Sequence, residues 1–78
     1  MKEKYLKIKD YIDLKELGKF GFKQRDDYEW SIDGEFDGVS FTSISVLGSR
    51  AIYVYDKLGL VVLFDLIQSG FVKKAVEQ

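Results

Sequence analysis

Between Ile32 and Ser40 the chain reads IDGEFDGVS, with Asp33, Glu35 and Asp37 on alternate positions and Gly38 directly after. A calcium loop opens this way, with carboxylate oxygens at positions 1, 3 and 5 and the glycine of the sharp turn at position 6. Such a loop also needs an oxygen ligand or water site at position 9 and a bidentate Glu at position 12. Phe41 and Ile44 occupy those places. Half the ligand shell is missing, so Asp33, Glu35 and Asp37 form a weak divalent-cation candidate. Asp37-Gly38 is also the residue pair of a type I′ hairpin turn, and that is the preferred reading.

Other chemistry is limited by what the chain lacks. It has no cysteine and no histidine. This removes zinc sites of the usual kind, thiol chemistry and the common general base of nucleophilic hydrolysis. Ser40, Ser43, Ser45 and Ser49 have no histidine to activate them and suit outward strand and turn positions. The expectation is a protein that is not an enzyme and has no cofactor.

Surface recognition remains. Tyr28, Trp30, Tyr53 and Tyr55 fall on expected strands, and Tyr and Trp are the usual anchors of protein interfaces. An incompletely covered sheet would expose them beside the acids of the first hairpin. These four are the expected contact residues, for a protein partner or for a homodimer. Lys2, Lys4, Lys7 and Lys9, with Tyr5, offer a third reading, contact with nucleic-acid phosphates. A sequence pI near 5.3 stands against it, because nucleic-acid binders usually present a strongly basic domain.

The elements that would position these residues follow from pattern and punctuation. Asp13-Leu14-Lys15-Glu16 reads as a capping box with Ile12 at the staple position. Leu14, Leu17 and Phe20 form an apolar stripe, and Gly21 stands at the C′ position with Phe22 folding back. Tyr28 to Phe36 alternates Trp30, Ile32 and Phe36 against Glu29, Ser31, Asp33 and Glu35, the pattern of a half-buried strand. A turn at Asp37-Gly38 pairs Phe36 with Val39. Val39 and Phe41 are out of phase with Ile44 and Val46, which predicts a β-bulge near Thr42-Ser43, or else a strand buried on both faces. Gly48-Ser49 reads as a II′ turn into a third strand, Arg50 to Tyr55. Leu60 to Gln68 fits a helix whose apolar face is Leu60, Leu63, Phe64 and Ile67. A fourth strand is the alternative. Phe71 to Ala75 is expected to run along the sheet edge.

The fold class expected is therefore α+β: a short helix, a three-stranded antiparallel meander, a second helix and a short C-terminal extension, in one domain over residues 1–78. Charge is unevenly spread. Eight basic residues stand against four acids up to Arg25, while Asp26 to Asp37 carries six acids and no base. No apolar run approaches the ~20 residues that span a bilayer. MKEKYLKIKD has no apolar core of a signal peptide, so a cytoplasmic protein without membrane contact is expected.

KDYIDLKELGKFGF early and FDLIQSGFVKK late resemble the small open reading frames of phages and integrated elements in low-GC Gram-positive bacteria. The residues that carry the likeness are caps, apolar stripes and Gly-Phe stops. The resemblance brings no established activity. It implies an accessory protein that binds host or phage proteins.

Overall fold

The structure, a computed structural model, describes residues 4–76. Among them are six strands, one α-helix and one 3-10 helix. In chain order these are β1 (Lys4–Ile8), the 3-10 helix (Leu14–Phe20), β2 (Lys23–Asp26), β3 (Glu29–Phe36), β4 (Val39–Leu47), β5 (Ile52–Val54), α1 (Lys57–Gln68) and β6 (Val72–Val76). The strands form two antiparallel sheets, one in the order β2-β3-β4-β5 and one of β1 with β6. The protein is a small α+β fold, but the expected three-stranded meander with a short C-terminal extension along its edge is wrong. The meander has four strands, and the extension is a strand paired with the N-terminal one.

Neither unforeseen strand shows a full apolar alternation. KQRD in β2 is exposed at every position, so no hydrophobic period marks it. It is held by pairing with β3, Lys23 opposite Ser31 and Gln24 opposite Trp30, and by Arg25, which donates to the Thr42 hydroxyl of β4. In KYLKI of β1 only Ile8 is buried, and the partner residues Val72 to Val76 lie at the far end of the chain.

The β3–β4 hairpin turns at Asp37-Gly38, where φ is 54° and 78°, and Phe36 pairs with Val39. Positive φ at both central residues is the type I′ geometry whose twist matches the flanking strands. Register shifts at Ser43: Ile32 faces Ile44 while Asp33 faces Thr42. This bulge returns Val39, Phe41, Ile44 and Val46 to one side of the sheet, shared with Trp30, Ile32 and Phe36. The core uses only the half of that side beyond the bulge. Ile44 and Val46 are fully buried, whereas Phe36 at the hairpin tip is 77% exposed. The Phe41 ring lies over Gly34, in the space a Cβ there would need.

Leu14, Leu17 and Phe20 are spaced three apart, the period of a 3-10 helix, and the segment adopts that form. Asp13 caps it, its carboxylate accepting the Lys15 N–H at 2.9 Å. Gly21, at φ 98°, ends it, and the Phe22 N–H donates to the Leu17 carbonyl. The core gathers Ile8, Leu17, Phe22, Ile44, Val46, Val62 and Leu66 between the four-stranded sheet, β1, the 3-10 helix and α1. Phe20 and Phe71, one beside each helix end, meet edge to face with ring centres 5.3 Å apart.

Candidate functional site

Helix α1 begins three residues earlier than its apolar stripe suggests. Asp56 is the N-cap: Oδ1 accepts the Gly59 N–H at 3.0 Å, and Oδ2 accepts the hydroxyl of the buried Ser43 at 2.8 Å. One carboxylate therefore ties the β4 bulge to the first turn of α1. The sequence KLGLVVLFDLIQ carries two sets of residues at i, i+3, i+4, i+7. Gly59, Val62, Leu63 and Leu66 form one, and Leu60, Leu63, Phe64 and Ile67 form the other. The structure packs the first against the sheet, burying Gly59, Val62 and Leu66 with Leu63 half-buried. Leu60, Phe64 and Ile67, expected to face the core, point outward.

The outward face of α1 is thus apolar as well. Leu60, Val61, Phe64 and Ile67 are all exposed, Phe64 at 59%. Leu58 flanks them, and a shallow hollow of about 390 Å³ opens beside Leu60, lined by Val54, Tyr55, Asp56 and Lys57. The outer side is broken by the exposed Lys57, Asp65 and Gln68, but four large apolar side chains still stand there in water. A contiguous patch of this kind is the usual mark of an interaction surface. Lys57 and Gln68, seven residues before Phe64 and four after it, close the face at its two ends.

The four expected contact aromatics do not come together. Trp30 pairs with Val46 on the core side of the sheet and packs against the core. Tyr53 pairs with Ser45 on the opposite side, half of it in solvent. Tyr55 is 63% exposed at the entry to α1, and Tyr28 is exposed in the β2–β3 turn, its carbonyl accepting the Gly48 N–H. Of the four, Tyr55 alone lines the hollow that adjoins the apolar helix face.

The acids of β3 are engaged with their neighbours. On the outer side of the sheet Asp33 Oδ1 accepts the hydroxyls of Ser31 at 3.1 Å and Thr42 at 3.0 Å. Glu29 accepts the Ser45 hydroxyl at 2.7 Å and lies 3.8 Å from Arg25. Among the described residues no group of three or more acids is placed to hold a metal ion, and this includes Asp33, Glu35 and Asp37.

Of the N-terminal lysines, Lys2 lies outside the described residues. Lys7 stands opposite Lys73 across the β1–β6 pair, and Asp10 bridges them, at 2.9 Å from Lys7 and 3.4 Å from Lys73. The hydrogen bond and charge of Lys7, joined by the charge of Lys73, hold the Asp10 carboxyl below its ordinary 3.8. Like charges directly across a strand pair repel, so Asp10 relieves the contact that β-pairing imposes.

Arg50 is a residue that pattern reading missed. It takes a left-handed conformation at φ 76°, the place where a three-residue hairpin loop normally has glycine. Its guanidinium Nη1 donates to the carbonyls of Ile12 at 2.6 Å and Lys9 at 2.9 Å. Its own carbonyl accepts the Ile8 N–H. Arg50 thereby clamps the end of β1 to the β4–β5 turn, across more than half the chain.

The chain matches no protein-family model, no curated protein and no solved structure. No described helix is long and apolar enough to cross a membrane.

Proposed function

We propose that the protein is a non-enzymatic interaction module that works by surface contact with another protein chain, as an accessory protein of the phage-type group it resembles would. The observation that carries this reading is the outward face of α1, with Leu60, Val61, Phe64 and Ile67 exposed together on a well-capped helix. Large apolar side chains in one patch are costly in water and gain free energy when covered, at about 25 cal/mol per Å². Tyr55, beside the same patch, supplies an amphipathic rim.

The test is retention. The native chain is immobilised and challenged separately with an extract of its host and with the soluble chain itself. The Leu60→Lys, Phe64→Lys double variant is the comparison, its fold checked by circular dichroism. The expected result is a protein retained by the native chain and released by the variant. No retention, or retention by both chains alike, overturns the reading.

A further inference from the structure

We infer that Asp37-Gly38 is a site of spontaneous backbone modification, at which the aspartate converts through a cyclic imide to isoaspartate, and that the fold withholds the same reaction from Asp33-Gly34. At these two places, and no others, an aspartate precedes a glycine. Glycine carries no side chain to shield its amide nitrogen, so both pairs have the reactive sequence. The structure separates them. At Asp37-Gly38 both residues are exposed, and nothing stands within 4 Å of a Cβ at Gly38. The bond that closes a type I′ turn runs from the Val39 N–H to the Phe36 carbonyl, which leaves the Gly38 N–H outside the ladder. Asp37 holds φ 54°, a left-handed conformation that costs an L residue energy and is readily given up. Phe36 and Val39 on either side are largely exposed, so the tip can open without disturbing Ile44 and Val46 in the core.

Asp33-Gly34 is held twice over. Antiparallel ladders alternate bonded and non-bonded pairs, and counting back from Phe36–Val39 makes Gly34–Phe41 a bonded pair. The Gly34 nitrogen, the nucleophile, is therefore committed to the Phe41 carbonyl, beneath the Phe41 ring. The electrophile is tied as well. Asp33 Oδ1 accepts the hydroxyls of Ser31 at 3.1 Å and Thr42 at 3.0 Å. Nitrogen and carboxyl carbon must meet for the ring to close, and here both have to let go first.

The step balances with water alone. The Gly38 nitrogen attacks the side-chain carboxyl carbon of protonated Asp37. A C–N bond forms, and the amide proton leaves with the carboxyl hydroxyl as water. The product is a five-membered succinimide. Water then opens the ring at either carbonyl. Opening at the side-chain carbonyl regenerates aspartate. Opening at the main-chain carbonyl routes the chain through the former side chain and frees an α-carboxylate. The two-residue turn thereby gains one main-chain carbon, which its I′ geometry and the Phe36–Val39 pairing cannot match.

For the test, the native chain is held folded at about pH 5, where aspartic acids are in part protonated, and sampled over weeks. A parallel sample is held in urea. Cleavage after Glu29 and Glu35 puts the two aspartates on separate peptides, and electron-transfer fragmentation tells isoaspartate from aspartate. In the folded chain isoaspartate should form at Asp33 at least about tenfold more slowly than at Asp37, since one hydrogen bond to a charged group is already worth that factor. In urea the difference should vanish, both pairs being equally free. Gly38→Asn keeps a residue that tolerates φ 78° but shields the nitrogen. It should cut isoaspartate at Asp37 to the level of Asp33 while the circular dichroism stays native. Equal rates at the two sites in the folded chain overturn the inference, as does isoaspartate at Asp33 ahead of Asp37. An Asp37 that stays unreacted while the chain is folded overturns it too.

Discussion

Gly59 of α1 lies directly on the backbone carbonyl of Ser43 in β4, so close that a Cβ at Gly59 would overlap it. The contact seats the helix on the bulge, where Asp56 has already joined the two segments by hydrogen bonds. Gly59→Ala should therefore destabilise the fold by about 1–3 kcal/mol, although alanine favours a helix interior by ~1 kcal/mol. Gly18 is the control. Nothing stands within 4 Å of a Cβ there and its φ is not left-handed, so Gly18→Ala should be neutral or stabilising by up to ~1 kcal/mol. Urea denaturation midpoints separate the two.

Arg50 combines a strained backbone with a useful side chain. Arg50→Ala removes both guanidinium bonds and keeps a Cβ at positive φ. Arg50→Gly removes the same bonds but relieves the strain, worth about 1 kcal/mol. The glycine variant should thus be the more stable of the two, and both less stable than the native chain, in thermal melts at neutral pH.

The Asp10 carboxyl titrates below its ordinary 3.8 because of Lys7 and then Lys73. It ionises more readily in the folded chain than in the unfolded one. Its pairing therefore supports the fold above pH 3.8, and that support disappears as pH falls through the lowered folded value. Carboxyl NMR titration should place Asp10 below its ordinary 3.8. Lys7→Met should move it back toward 3.8 by more than Lys73→Met does, and added salt should do so in part.

The ring of Phe41 over Gly34 gives a spectroscopic signature. The Gly34 Hα resonances should sit upfield of the usual glycine range, and Phe41→Leu should return them to it. Gly34→Ala should displace the ring with little loss of stability, within ~1 kcal/mol, because Phe41 has solvent to move into.

Local grammar was readable wherever a residue type forces a conformation. Asp37-Gly38, preferred as a type I′ turn, is one, and of the two ways to mend the phase break between Phe41 and Ile44 the chain uses the bulge, at Ser43. Gly21 and Gly70 ended their helices, both at positive φ. What could not be read depended on partners far along the chain. Nothing in KQRD distinguishes an edge strand from a loop, and KYLKI becomes a strand only when Val72 to Val76 arrives beside it. The two interlocking apolar sets of α1 are equivalent as patterns. Only the fit of Gly59 to Ser43 decides which turns inward, and that decision leaves Leu60, Phe64 and Ile67 exposed.

The pairing of β1 with β6 also bears on how the chain reaches its fold. The β3–β4 hairpin closes a two-residue turn and needs nothing distant, whereas the pairing of Lys4 with Val76 closes a loop that holds every other described residue. Contacts of such sequence separation cost the most chain entropy and are rewarded last. The two-stranded sheet is thus a late seam. It should close over a hairpin and helix already in place.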